Sequence, residues 1–379
     1  MIGYKGKAFN IASEVLGKIV SYKADEHGTS YLLEFATRAY EKNKFGLIRC
    51  GKPVIGLYSA PSILCSQNIE LNMGDILRIT EAGELFIMFS ATSSDDCLFV
   101  TNTCNSNCIM CPQPPRMDRA NHYEEAKQIV SLIEKPPEVI GITGGEPLLH
   151  YDSFVNLLEI LREKLPETQI QLLTNARVLK DSQKVLALTD LAGDDMVFCI
   201  PLYADNSVMH DKIVGVQGAF AETMEALHHL GKLKARIELR YVPIQENVSR
   251  LLDWSLFVCK NLPFVEHVAI MGLEPIGRAR SNYDQVWIDP VEYSSQLNEA
   301  VFRLNTFGIN VSLFNHQLCT IPKNLWEFSA KSISNWKVTY LNCCSKCIVS
   351  DKCGGLFFAS EKMHSTGIHP ITGDGVING

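Results

Sequence analysis

Cys104, Cys108 and Cys111 stand together in the stretch TNTCNSNCIMCPQPPR (101–116). Three thiolates that close can ligate an iron–sulfur cluster. A [4Fe–4S] cube has four irons, so three protein ligands leave one iron open to a substrate or a cofactor. Zinc competes for the same residue type, but a structural zinc site closes with four ligands. Proline after the third cysteine is a feature of bacterial ferredoxin loops, yet the closer spacing and fourth cysteine of those loops are missing here.

A second constellation is GITGGEP (141–147), where two glycines and a carboxylate end an apolar run. Glycine lets a backbone come close to a ligand. The Glu146 carboxylate suits an ammonium group. Alone, GGEP reads first as a strand-to-turn junction; one strand after C-x3-C-x2-C it reads as part of a site. A third cluster, CCSKCIVSDKCGGLFF (343–358), has Cys344, Cys347 and Cys353 at metal-like spacing, with Cys319 as an outlying member and Cys343 spare. These four thiols suit a second iron–sulfur site or a zinc site equally. Cys50, Cys65, Cys97, Cys199 and Cys259 stand singly beside apolar residues and read as small buried hydrophobes.

Six apolar runs must position these groups: 97–100, 138–145, 169–175, 196–203, 235–243 and 265–273. Helical patterns lie between them. In DSFVNLLEILREKL, Phe154, Leu157, Leu158, Leu161 and Leu165 share one face. In DPVEYSSQLNEAVFRLNTFG, Asp289 reads as N-cap, Pro290 as first-turn residue, Glu292 as capping-box partner and Gly308 as terminator. Six strand–helix units predict an α/β fold, a parallel sheet in a partial (β/α)6 barrel rather than a closed eightfold one. Chemistry belongs at the C-terminal strand ends of such a sheet. Cys104 follows the first strand and Gly144–Glu146 the second, so both motifs point to one rim.

The expected domains are 1–95, a small β-rich accessory domain packed on the barrel; 96–308, the partial barrel; and 309–379, a cysteine-bearing extension. A hairpin is expected around Glu81-Ala82-Gly83-Glu84. The tail HSTGIHPITGDGVING reads as solvated or loosely docked, with a lid as the alternative.

The 379-residue chain is longer than one core usually serves, and its 46% hydrophobic content suits a globular protein. A net charge of −7 gives no basic footprint for nucleic acid. The N-terminus lacks a signal peptide's apolar run, and no stretch approaches about 18 consecutive apolar residues. A cytoplasmic protein with no membrane span is expected. In that compartment 13 cysteines point to metal rather than to a disulfide framework.

With Cys104, Cys108, Cys111 and Gly144-Gly145-Glu146-Pro147 in place, the chain resembles the radical S-adenosylmethionine (SAM) superfamily over about residues 97–280. The resemblance implies that the three cysteines hold three irons of a [4Fe–4S] cluster and that SAM chelates the fourth. Glu146 and the Gly144–Gly145 backbone would hold the methionyl ammonium. Thr174 and Asn175 stand where the family often contacts SAM; Tyr203 and Asp205 are further candidates, and Arg240 would pair with the SAM carboxylate. Met110 replaces the family's usual aromatic residue, where the adenine contact runs largely through the backbone. One electron, from an external donor such as flavodoxin or ferredoxin, would cleave the sulfonium bond, and the resulting radical would take hydrogen from substrate. The chain's part is to position that C–H and exclude water.

The C-terminal cysteines resemble the SPASM and twitch extensions of radical SAM maturases. Their C-x2-C-x5-C-x3-C pattern would put a cysteine at 357, where this chain has Phe357. One auxiliary [4Fe–4S] cluster on Cys319, Cys344, Cys347 and Cys353 is therefore implied. NHQLCTIPKNLWEFSAKSISNWK, CGGLFFAS, HSTGIHPI and CNSNCIMCPQPP also look like the C-type radical SAM maturase of the His-Xaa-Ser peptide system. That narrower resemblance implies a ribosomally made peptide substrate and a second radical SAM enzyme as partner. A small-molecule or partner-enzyme substrate is the alternative within the class. A non-enzymatic iron–sulfur carrier is the alternative outside it, and a carrier has no need of GGEP at a strand end.

Overall fold

A computed structural model describes residues 3–36, 44–54, 60–93, 95–116, 121–331, 338–357, 360 and 362–373. Residues 55–59 of the expected β-rich domain, 332–337 and 358–359 of the quoted C-terminal motifs, and the tail end 374–379 lie outside the described residues. The chain divides into two compact units: 1–100 with 122–141 and 156–169, and 101–121 with 142–155 and 170–379.

The first unit begins with β1 (Gly3–Lys5), β2 (Lys7–Phe9), β3 (Val15–Asp25), β4 (Gly28–Phe35), β5 (Phe45–Gly51), β6 (Ser62–Cys65), β7 (Ile76–Ile79) and β8 (Glu84–Phe89). Their order is β1-β8-β7-β3-β4-β5-β6-β2. Strands β1 and β2 are joined at Gly6 yet lie at opposite edges, β1 against β8 and β2 against β6. The N-terminal segment thus closes the sheet into a barrel and removes its exposed edges. Alternate residues fill the interior, among them Ile19, Leu33, Ile48, Ile63, Leu77 and Leu85. Each such buried side chain contributes about 1.5–3 kcal/mol. The expected hairpin is present between β7 and β8, with the Gly83 N–H donating to Thr80 O and φ +79° at Gly83.

The second sheet runs β16-β15-β14-β13-β12-β11-β10-β9. Its members are β9 (Asp95–Phe99), β10 (Val139–Thr143), β11 (Gln169–Leu173), β12 (Met196–Pro201), β13 (Arg236–Tyr241), β14 (His267–Met271), β15 (Asn310–Phe314) and β16 (Ser329–Ala330). Pairing is parallel and in register from β11 to β16. It is a curled parallel sheet, a half-barrel. Strand β12 is apolar on both faces, with Met196 to Ile200 all buried, as a sheet covered on both sides requires. Helices α3 (Ser182–Ala192), α5 (Ala219–Lys232), α6 (Leu251–Asn261) and α9 (Ser294–Thr306) each bury a single stripe; in α9 it is Leu297, Ala300, Val301 and Leu304.

Two expectations change. The six anticipated strands are β9 to β14, but the sheet continues into the presumed extension as β15 and β16. Asp289 does not cap α9, which starts at Ser294. It caps a preceding turn through the Val291 N–H, with Glu292 reaching back to the Asp289 N–H, and its second task is to hold the tail.

Candidate active site

The three cysteines lie on a loop stitched to its surroundings by backbone. On one side the Gly145 N–H donates to Thr101 O at 2.8 Å and the Glu146 N–H to Thr103 O at 2.7 Å. A Cβ at Gly145 would stand 2.1 Å from Thr103 O, and one at Gly144 2.7 Å from Thr101 O. The glycines of GGEP therefore let this turn seat against the root of the cysteine loop; the ligand approach expected of them is a second demand on the same backbone. Next, the N–H groups of Asn107 and Ile109 donate to Val214 O and Ile213 O at the end of α4 (Ser207–Val214). On the far side the Arg278 N–H donates to Cys111 O at 2.9 Å and Asn282 Nδ2 to Ile109 O at 2.7 Å. Gly277, at φ +54°, opens the short helix α7 (Gly277–Ser281), and a Cβ there would meet Cys111 O at 2.5 Å.

All three thiols are half-buried. Burial pushes Cys104 up to about 11 and Cys108 up to about 12, and raises Cys111. The charge of Arg177 acts against this at Cys104, and that of Arg278 at Cys108 and Cys111. The Ser106 N–H donates to Cys104 Sγ at 3.4 Å. Such thiols stay protonated until a cation ionises them, which is what ligation to a metal does. An all-sulfur donor set on one loop fits an iron–sulfur cluster.

Glu146 is the buried keystone beside the loop. Its Oε1 accepts from the Leu148 N–H at 3.0 Å and from Thr174 Oγ1 at 2.6 Å, and its Oε2 from the Asn175 N–H at 2.6 Å. Burial raises its pKa, against the pull of these bonds and of Arg177. Asn175 Nδ2 donates to Asn105 Oδ1 at 2.6 Å, within the cysteine loop. Ala176 takes the left-handed conformation at φ +60° to turn the chain back toward Arg177. Arg177 Nη1 donates to Asn105 O at 2.7 Å, and Arg177 Nε to Glu222 Oε2 at 2.6 Å.

The other expected residues are placed as follows. Met110 is buried among Ile213, Ile244, Ala279 and Val286, so its side chain is core. Half-buried Tyr203 packs on the same cluster, stacks on His210 and donates its N–H to His210 Nδ1 at 3.2 Å. Burial drives its phenol pKa well up, with Cys108, Cys111 and Cys104 adding to the effect. Burial takes His210 down to about 4. Asp205 is gripped by Arg250, with Nε to Oδ1 at 2.8 Å and Nη2 to Oδ2 at 2.5 Å. This bidentate pair ties the segment after β12 to the start of α6. Arg240 donates to Glu238 Oε1 at 2.6 Å, Glu238 Oε2 meets His267 Nδ1 at 2.8 Å, and His267 Nε2 meets Ser312 Oγ at 2.9 Å. Burial would raise Glu238; the hydrogen bond from His267 and the charge of Arg240 outweigh it and bring the carboxyl to about 2.

Asn105, Ser106, Arg177, Glu222, Arg278 and Asn282 were not anticipated. Only Asn105 and Ser106 carried a local signal, by standing between two of the cysteines.

Cys319, Cys344, Cys347 and Cys353 line one cavity, together with Tyr340 and His369. Cys347 Sγ accepts from the Ile371 N–H at 3.4 Å and Cys353 Sγ from the Gly355 N–H at 3.5 Å. A backbone N–H of His369 also reaches Cys319. Cys343 hydrogen-bonds Cys344 but does not line the cavity. Where the resembled pattern has its fourth cysteine, Phe357 lies in β18 (Leu356–Phe357), paired with β17 (Val338–Thr339). Among the described residues no three His, Cys, Asp or Glu side chains are gathered as a site for a metal ion. The tail is held at Ser365 and Thr366: Asp289 accepts from Ser365 Oγ at 2.5 Å and from the Thr366 N–H at 2.9 Å.

Residues 98–254 match the family model described as Radical SAM superfamily. AdoMet-dependent heme synthase of Oleidesulfovibrio alaskensis is 26% identical over 204 residues, covering 52% of this chain and 50% of that protein. The heme synthase of Nitratidesulfovibrio vulgaris is 25% identical over 210 residues, covering 52% and 53%. The chain thus spans about half the length of these curated relatives. Among solved structures, Streptococcus suis SuiB bound to S-adenosylmethionine aligns with a TM-score of 0.48 at 13% identity, over 63% of this chain and 51% of that one. The anSMEcpe enzyme with bound AdoMet and Kp18Cys peptide aligns at 0.46 and 15%, over 58% and 63%.

Proposed function

We propose that this chain, which carries a radical SAM domain over residues 98–254, cleaves S-adenosylmethionine reductively and uses the product to take hydrogen from a peptide. The observation that carries the reading is the cysteine loop itself: three thiols on one braced loop, tied through Asn105 to Asn175 and so to Glu146. Cys104, Cys108 and Cys111 would hold a [4Fe–4S] cluster. With SAM bound there, the cluster supplies a one-electron cleavage that yields a hydrogen-abstracting species.

The chain's own residues do the rest. Glu146 ties Thr174 and Asn175 to the turn that carries Gly144 and Gly145, through Thr174 Oγ1 and the Asn175 N–H. These are the proposed contacts of the methionyl end. Met110 contributes through its backbone. Arg240, aimed by Glu238, is the proposed partner of the SAM carboxylate, and Tyr203 walls the site beside the three cysteines. The loss of water around these groups strengthens every hydrogen bond among them.

The C-terminal thiols are proposed to hold an auxiliary [4Fe–4S] cluster. Four thiols line one cavity, and those of Cys347 and Cys353 accept backbone N–H bonds. Such an extension beside the barrel favours a peptide substrate, and the motifs quoted above point to His-Xaa-Ser repeats. An external flavodoxin- or ferredoxin-type donor and a second radical SAM enzyme are the proposed partners. No helix among the described residues is long and apolar enough to cross a membrane, and we place the protein in the cytoplasm.

Anaerobic reconstitution should give about eight irons per chain. Adding dithionite and SAM should release 5′-deoxyadenosine, and the triple Cys104→Ala, Cys108→Ala, Cys111→Ala variant should not. A reconstituted wild type that forms no 5′-deoxyadenosine sinks the activity. Co-expression with a His-Xaa-Ser peptide, followed by mass spectrometry, tests the substrate; an unchanged peptide mass counts against it.

A further inference from the structure

The cysteine loop has an arginine at each end, and the two are not equivalent. Arg177 reaches the loop at Asn105 O and Ser106 Oγ, and its guanidinium is met at 2.6 Å by Glu222, which also pairs with Lys180 on the solvent side. Arg278 sits at the other end. Its N–H donates to Cys111 O at 2.9 Å and its Nη1 to Cys108 O at 3.5 Å. Among the described residues Arg278 has no carboxylate partner. It is half-buried, and its charge acts on the thiols of Cys108 and Cys111.

Resting on the function proposed above, we infer that Arg278 is a positioning residue whose uncompensated charge favours the reduced state of the cluster held by Cys104, Cys108 and Cys111, whereas Arg177 serves mainly to brace the loop. Reduction adds one electron, and so one negative charge, to the cluster; no bond forms or breaks in that step. The electron comes from a reduced flavin or iron–sulfur protein, or from dithionite in the test. A fixed cation beside the sulfurs stabilises the more negative state, and half-burial limits screening. At Arg177 the same attraction is offset by Glu222 on one side and by buried Glu146, which opposes it at Cys104. The asymmetry places the tuning charge beside Cys108 and Cys111.

The test is a mediated redox titration of the reconstituted full chain by electron paramagnetic resonance. The loop signal is identified by its loss in the triple cysteine variant. Arg278→Gln should lower the reduced-to-oxidised ratio at fixed potential by roughly tenfold, about 59 mV more negative for a one-electron couple. Arg278→Lys should keep the wild-type midpoint, because charge and not the guanidinium fork is at work. Arg177→Gln should move it less than Arg278→Gln while lowering iron uptake. An unchanged midpoint in Arg278→Gln, or an equal shift in Arg177→Gln, overturns the inference. Should Arg278→Gln fail to load, Arg278→Lys decides: a midpoint moved away from wild type overturns it, an unmoved one supports it. A wild type that takes up no cluster overturns the proposed function as well, which separates the two failures.

Discussion

The two thiol clusters of this protein are built on opposite plans. The first takes three cysteines from one loop, and its geometry depends on what braces that loop: the GGEP turn, Arg177, Arg278 and Asn282. The second takes Cys319 from one segment and Cys344, Cys347 and Cys353 from another, and the tail supplies N–H donors at Ile371 and His369. A contiguous loop brings its ligands together at little cost in chain entropy, whereas an assembled site needs long-range closure first. The first should therefore fail through local damage to its braces, and the second through anything that frees the tail.

The most severe break is the removal of ligands. The triple loop variant should lose 5′-deoxyadenosine formation entirely while retaining about half of the iron, the share of one of two clusters. Cys344→Ala with Cys347→Ala should retain the loop iron and SAM cleavage but lose modification of peptide. Iron and sulfide assays with product analysis read both. Loss of all iron in either variant would show that the clusters are not independent.

Gly145→Ala comes next. Its Cβ would stand 2.1 Å from the Thr103 carbonyl, backbone that cannot rotate away. Overpacking of this kind costs about 1–3 kcal/mol, and the strain falls on the residue before Cys104. Loop iron should drop while C-terminal iron holds. Wild-type iron in both sites would mean that GGEP does not seat the loop.

Asp289→Ala tests the second plan. It removes acceptors for Ser365 Oγ, the Thr366 N–H and Thr366 Oγ1. The expected cost is about 1–3 kcal/mol, with faster hydrogen exchange at 365–371 and weaker C-terminal iron retention. The wild type should show the same loosening in acid. Burial opposes ionisation of Asp289, but its hydrogen bonds to Ser365 and Thr366 outweigh that and leave its pKa lowered. A lowered carboxyl contributes stability above its unfolded pKa, near 4, and loses it as pH falls through the folded value. Tail exchange that is flat from pH 6 to about 3 would remove Asp289 from this role.

What could be read from sequence divides along similar lines. The cysteine loop, GGEP and the strand–helix alternation were legible because each is a local pattern with a fixed period or spacing. The braces were not: Arg278 is 170 residues from Cys108 and Arg177 is 72 from Asn105, and nothing near either arginine announces a partner. Barrel closure was hidden because β1 and β2 are three residues each, too short for alternation to register. Strand β15 was missed because Asn310–Phe314 follows directly on a helix that Gly308 had seemed to end in a new domain. The tail reads as solvated or loosely docked from its glycines and polar residues, which do not say where it docks. Its docking rests on Asp289, 76 residues away, which the capping pattern had already claimed.

Cys343 offers the finest test of the comparison. It adjoins Cys344 and hydrogen-bonds it, and burial together with this neighbour pushes Cys344 up to about 11. An assembled site could in principle exchange one thiol for the next in sequence, because a single-residue shift in a turn of the five-residue segment Asn342–Lys346 would swap them. The cavity, however, is lined by Cys344 and not by Cys343. Closure by Cys319 and the tail fixes which side of the turn faces inward. Cys343→Ser should thus keep full iron and change stability by less than about 0.5 kcal/mol, whereas Cys344→Ser should lose C-terminal iron. If Cys344→Ser loads normally and only the double variant fails, the turn is free to choose its ligand, and the second site is held by its metal rather than by the fold around it.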